Sequence, residues 1–239
     1  MTTNPQAAQV QTIAFVLYPG ITALDLVGPL QVLAGLAQAS PGFEVAVVAE
    51  RLGPMPTDTP LAVAADRTFE EAPHPFALVV PGGDAPALRA MGDPRLLDYL
   101  RGAAEGAEIV ASVCTGSLLL AAAGLLEGRR ATTHWTYRHL LGVFGAIPVA
   151  ARWVEDGPVV TAAGVSAGID MAFHLAARLA GAPTARLLQY ALEYDPQPPQ
   201  GGLDWDDAPG DVFAPFVDRY VREAWSARPE WIERLDARR

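Results

Sequence analysis

The sequence predicts an α/β protein with a mostly parallel central sheet covered by helices on both sides. Three observations lead there. Short apolar runs alternate with segments of helical spacing along most of the chain. The runs at 12–18, 76–80 and 108–113 are almost continuously apolar instead of alternating, as strands buried on both faces are. A chain of 239 residues, 51% hydrophobic, can also fill one sizeable core.

The elements follow in order. A strand over 12–18 is broken by Pro19-Gly20, and Gly28-Pro29 opens a helix through Gln38, proline being well placed in a first turn. Residues 43–49 read as a strand. The proline-, threonine- and aspartate-rich stretch 51–75 reads as loops with a short hairpin around 61–65. A strand at 76–80 stops at Pro81-Gly82-Gly83. Helix 93–105, strand 108–113 and helix 115–126 follow. Short strands at 130–133 and 149–154 bracket a helix at 135–144, and strand 159–163 leads to helices 169–179 and 184–193. An acidic linker at 194–209 precedes an amphipathic helix over 212–235, interruptible at Pro229. The expected organisation is a flexible N-terminus at 1–11, an α/β domain at 12–199, and a linker with a C-terminal helix packed on it at 200–239.

Composition excludes several functions. All 17 basic residues are arginine against 27 acids, a net charge of −10. Without lysine there is neither a Schiff-base nucleophile nor a Walker-type phosphate loop. The acidic balance argues against nucleic acid and for a small, neutral partner. A single cysteine, Cys114, excludes an intramolecular disulfide, and the four histidines lack zinc-site spacing, so no metal is expected. No basic residue precedes Arg51, and the longest apolar stretch, 118–126, is about half the ~20 residues a membrane helix needs. A cytoplasmic protein without membrane contact is expected.

Ligands gather at the carboxyl ends of strands in parallel α/β sheets, and three such ends carry chemistry. In Ala111-Ser-Val-Cys114-Thr115-Gly116 a strand runs into a cysteine and then at once into a helix. A nucleophile elbow has this form, with Gly116 permitting close packing. The helix amino end should lower the thiol pKa. The alternative is an inert buried cysteine. Asp25 follows the first strand and should share that rim, either as a partner of the thiol or as a loop carboxylate or helix cap. Gly82 and Gly83 offer backbone N–H groups to a developing anion, or form a tight turn only. His134 between apolar neighbours, Asp170 at a helix start and the acidic run 204–207 read as structural or solvated groups.

Together these motifs resemble the ThiJ/PfpI superfamily over residues 13–199. Leu24-Asp-Leu-Val-Gly-Pro29, Val80-Pro-Gly-Gly83, Ser112-Val-Cys-Thr-Gly116, Ala131-Thr-Thr-His-Trp135, Ala167-Gly-Ile-Asp170 and Leu192-Glu-Tyr-Asp-Pro-Gln-Pro-Pro199 look like its isonitrile hydratase branch. The resemblance implies a flavodoxin-like three-layer sandwich, a homodimer, and a cofactor-independent hydro-lyase turning an isonitrile and water into an N-substituted formamide. It makes Cys114 the nucleophile, Asp25 its acid/base partner and Thr115 a supporting residue. Many superfamily members carry histidine after the cysteine; Thr115 stands there here, which argues against protease or deglycase chemistry. Two other readings compete: a redox or stress protein with Cys114 as sensor, and an effector-type domain like those of AraC-family regulators. The latter needs a helix-turn-helix module of roughly 100 residues, where only about 40 residues of net negative charge follow Pro199.

Overall fold

The computed structural model describes residues 10–238; apart from residues 10 and 11, the expected N-terminal segment lies outside them. Strand β1 (Gln11–Val16) leads into α1 (Ala23–Ala39), followed by β2 (Phe43–Ala49). β3 (Gly53–Pro56) and β4 (Ala62–Ala65) pair as an antiparallel hairpin, and a short β5 (Arg67–Thr68) follows. β6 (Ala77–Val80) runs into α2 (Asp84–Ala90) and α3 (Pro94–Glu105), and β7 (Ile109–Val113) into α4 (Gly116–Ala122). The two-residue strands β8 (Arg130–Ala131) and β9 (Ile147–Pro148) flank a 3-10 segment, Trp135–Phe144. β10 (Trp153–Asp156) and β11 (Val159–Ala162) form a second hairpin, then come α5 (Ala167–Ala180), α6 (Ala182–Ala191), α7 (Gly210–Ala224) and α8 (Pro229–Asp236).

Seven strands make the central sheet in the order β10-β11-β7-β6-β1-β2-β5, with β10 alone antiparallel to its neighbour. Within it β2, β1, β6, β7 and β11 give the 2-1-3-4-5 order of flavodoxin-like folds, as expected. Helices α1, α5 and α6 pack on one another over one face. α2, α3, α4 and the 3-10 segment cover the other, with α7 and α8 packed on that layer. β6 and β7 are buried throughout, which explains their unbroken apolar sequence. Register sets Val80 beside Ser112 and Val113 beside Ala162, so the chain leaves β6, β7 and β11 at one rim. The order reverses between β1 and β6, and ligand crevices open at such a point.

Several boundaries differ from the sequence reading, each for a local reason. Helix α1 begins at Ala23 rather than Gly28, so Pro29 lies inside it. Gly28 serves helix packing: a Cβ there would stand 2.9 Å from Ile169 Cγ1 on α5. Pro29 has no N–H for the Asp25 carbonyl, so the turn carrying Asp25 lacks one helical bond. The short helix α2, unexpected after the glycines, forms despite Pro86 because proline is tolerated in a first turn. The helix begun at the cysteine elbow ends at Ala122, and Gly124 takes a left-handed conformation beyond it. The 135–144 segment is helical but of the 3-10 kind, and the strand expected at 149–154 lies at Trp153–Asp156. The terminal helix is two, with Pro229 in the first turn of α8. Trp225, fully buried between them, packs edge-on against Phe144 and Trp231.

Candidate active site

The carboxyl ends of β1, β6, β7 and β11 bring Asp25, Gly82, Cys114 and Val165 together. Cys114 ends β7 with φ of 56°, a left-handed conformation that costs a non-glycine residue energy and calls for firm support. That support is present. Its N–H donates to the Ala163 carbonyl at 3.0 Å, and its carbonyl accepts from Thr133 Oγ1 at 2.8 Å and Ser117 Oγ at 3.2 Å. Gly116 then lets the elbow nest on β6: a Cβ there would lie 2.1 Å from the Val80 carbonyl oxygen. Hence the glycine two positions after the cysteine.

Asp25 lies in the first turn of α1, and its side chain is wholly buried, neither a solvated loop carboxylate nor a cap. The cap is supplied from elsewhere, Asp58 Oδ1 accepting from Ala23 N–H at 2.9 Å. Asp25 Oδ2 accepts from Gly82 N–H at 3.0 Å, while Oδ1 is buried without a hydrogen-bond partner among the described residues. Burial pushes the Asp25 pKa up to about 7, against the pull of Gly82 N–H and of the Cys114 side chain, which favour the ionised form. Thr115 is also buried; its Oγ1 accepts from Gly83 N–H at 3.0 Å, which leaves the hydroxyl proton free to donate.

Two findings depart from the sequence reading. The Gly82 and Gly83 N–H groups, expected to face a developing anion, already have acceptors and instead hold Asp25 and Thr115 in place. The thiol pKa, expected to be low, is pushed well above its ordinary value by burial first and by the neighbouring Asp25 charge second. The N–H groups of Val165 and Thr115 oppose this without cancelling it. α4 has only seven residues, too little helix to outweigh full desolvation of a thiolate.

Sequence reasoning missed two residues and a cavity. The buried Tyr18 hydroxyl donates to the Pro81 carbonyl at 2.9 Å, bracing the loop that carries Gly82. Val165, with φ of 24°, directs its N–H at the sulfur. The signal was there: Ala162-Ala-Gly-Val-Ser-Ala-Gly168 is a fourth strand end rich in small residues. Beside it opens a cavity of about 520 Å³ lined by His134, Trp135, Arg138, Arg152, residues 163–166 and Trp205. His134 packs so closely on Gly164 that a Cβ there would lie 2.6 Å from its Cδ2. Asp170, expected at a helix start, pairs with Arg152 and accepts from the Tyr194 hydroxyl at 2.7 Å. Of the acidic run 204–207, all exposed, only Trp205 adds to the site, its ring 6.1 Å from that of Trp135. Among the described residues no cluster of three or more histidine, cysteine or acidic side chains could hold a metal, and no helix is long and apolar enough to cross a membrane.

Fold and site together define a class: flavodoxin-like α/β proteins with a buried cysteine on a strand-to-helix elbow, beside a buried carboxyl of the first helix. The chain belongs to the DJ-1/PfpI family, whose model matches residues 11–178. An isonitrile hydratase from Pseudomonas putida is 47% identical over 200 residues, 84% of this chain and 86% of that protein. An HTH-type transcriptional regulator, CdhR of Pseudomonas aeruginosa, is 31% identical over 72% of this chain but only 51% of its own length. The crystal structure of a THiJ/PfpI family protein from Pseudomonas syringae, 35% identical, superposes with a TM-score of 0.81 and covers 98% of this chain and 93% of that one.

Proposed function

We propose that this protein hydrates isonitriles to N-substituted formamides, with Cys114 as nucleophile and Asp25 as acid and base. The observation that carries the reading is a buried carboxyl with a pKa of about 7 facing a buried thiol on a strained elbow. The 47% identity to an isonitrile hydratase across most of both chains supports the same substrate class.

An isonitrile carbon accepts a nucleophile and a proton on one atom. Cys114 and Asp25 share one proton in the active form, as thiol and carboxylate or as thiolate and acid. The sulfur bonds to the isonitrile carbon while the Asp25 acid gives that carbon its proton, leaving a thioimidate. Asp25, now ionised, takes a proton from water as the water oxygen bonds to the same carbon, and passes that proton to the imine nitrogen. Breaking the carbon–sulfur bond releases the formamide, and the hydroxyl proton returns to the Cys114–Asp25 pair. One carboxyl serves both directions, so the steps call on no cofactor. Thr115, its oxygen engaged by Gly83, has a proton with which to orient the water or Asp25. Gly82 and Gly83 act by positioning.

The sensor reading fits less well, because sensor cysteines are accessible and low in pKa whereas Cys114 is buried and raised. The proposal includes a cytoplasmic homodimer, for which exposed Leu24 and Val27 on α1 offer an apolar face. The test is incubation with cyclohexyl isocyanide and chromatography for N-cyclohexylformamide. Formamide formed at a rate proportional to enzyme supports the reading, and none above the uncatalysed rate overturns it.

A further inference from the structure

The cavity beside Cys114 has an end that hydration of a neutral isonitrile does not use. Its floor, residues 163–165, is the strip that holds the sulfur: the Ala163 carbonyl accepts from Cys114 N–H and Val165 N–H reaches the thiol. Its sides are apolar, Trp135 and Trp205 standing with rings 6.1 Å apart. Two guanidinium groups also line it, and they differ. Arg152 is engaged: it pairs with Asp170, and its Nη2 lies 3.3 Å from Ser166 Oγ. Among the described residues Arg138 forms no such ion pair. Its Nε is shielded from solvent and lacks a hydrogen-bond partner among the described residues, and no carboxylate is among the cavity's described lining residues. Burial lowers the pKa of the neighbouring His134, Asp84 from outside the lining opposes this and Arg138 adds to it, so Arg138 is the cavity's unpaired lining charge in a protein whose total is −10.

A guanidinium in a largely apolar wall is costly unless an anion completes it, and a planar carboxylate matches its fork with two parallel hydrogen bonds. We propose that the cavity selects isonitriles carrying a carboxylate, with Arg138 binding that group while the apolar body lies along Trp135 and Trp205 and the isonitrile carbon meets Cys114. The proposal rests on the hydratase reading and narrows it. It departs from the neutral partner expected from overall charge because a ligand meets the local charge of the cavity.

The test compares 4-isocyanobenzoate with its methyl ester, which differ in charge at the end away from the reacting carbon. The wild-type protein should hydrate the acid with kcat/KM at least tenfold above that of the ester, mainly through KM. Arg138→Met should erase that preference and Arg138→Lys should keep part of it, melting curves showing that the variants fold. Equal or inverted preference in the wild-type protein overturns the proposal, and so does a preference that survives in Arg138→Met. If no isonitrile is hydrated at all, the hydratase reading falls and binding decides the other question. Calorimetry would then show 4-formamidobenzoate binding at least tenfold more tightly than its methyl ester, through Arg138, if the cavity takes a carboxylate. Equal binding of the two would overturn it.

Discussion

The N–H of Gly82 donates to Asp25 Oδ2 across 57 positions of sequence, at 3.0 Å and out of contact with water. That bond ties the end of β6 to the first turn of α1 and aims the carboxyl at the elbow. Space around it is short: a Cβ on Gly82 would lie 2.6 Å from both the Thr115 amide nitrogen and its Oγ1, and 2.8 Å from Asp25 Oδ2. All three atoms belong to the residues assigned to the chemistry, two in side chains and one in the backbone. Gly82→Ala should therefore destabilise the fold by about 1–3 kcal/mol, the usual cost of overpacking. It should also lower kcat for cyclohexyl isocyanide by about 100-fold through misplacement of Asp25. Urea unfolding and steady-state kinetics on one preparation check both.

Asp25→Asn keeps an oxygen for Gly82 N–H but can neither give nor take a proton. It should lower kcat at least ~100-fold, the lower range for general acid–base catalysis, while Cys114 remains open to alkylation by a small reagent after unfolding. Near-normal turnover would mean that the proton comes from another group.

The same carboxyl sets two pH dependences. The proposed mechanism needs a pair that has lost one of its two protons, so kcat/KM should rise from pH 5 to 8 with a midpoint near 7, and the limb should vanish in Asp25→Asn. Stability runs the other way. The folded state holds the Asp25 proton up to about pH 7 whereas the unfolded chain releases it near 3.8, so the folded state binds more protons in that window. Asp25 thus withdraws stability as pH rises from 4 to 7, on the order of a few kcal/mol. Asp25→Asn should be more stable than the parent at pH 8, and the gap should close towards pH 4. Melting curves at several pH values would reveal a constant gap if burial of Asp25 were not the cause.

Cys114→Ala should abolish formamide production while leaving the fold intact, since the protein has no second thiol and no lysine to replace it. Activity above a few per cent would exclude covalent catalysis by sulfur.

Thr115→Val removes the oxygen that accepts from Gly83 N–H and leaves a buried donor unmet. The expected loss is about 1–3 kcal/mol of stability together with reduced kcat, and Thr115→Ser should restore most of both. If Val and Ser variants behave alike, the hydroxyl has no part in the site.

The sequence by itself determined the layer order and the places where chemistry gathers. Continuous apolar runs at 76–80 and 108–113 mean burial on two faces, which demands a parallel sheet with helices on both sides. A cysteine between such a run and Gly116 means an elbow, because local sterics leave few other routes from strand to helix. These are short-range consequences of periodicity and backbone freedom, and neighbouring residues suffice to read them. Tertiary structure alone decided what depends on distant segments. Gly28-Pro29 reads locally as a helix start and is a helix interior, because the close approach of Ile169 from α5 requires that glycine. Cys114 reads as an activated thiolate at a helix end and is a raised thiol, because burial among β6, β7 and the Val165 strip costs a charge more than seven helical residues return. Asp25 reads from its neighbours alone as a loop carboxylate or a helix cap, the family resemblance alone suggesting an acid/base role, and is a buried acid near neutrality, since its desolvation is set by segments far away in sequence. Desolvation and close approach are properties of the assembled chain, and no window of local sequence contains them.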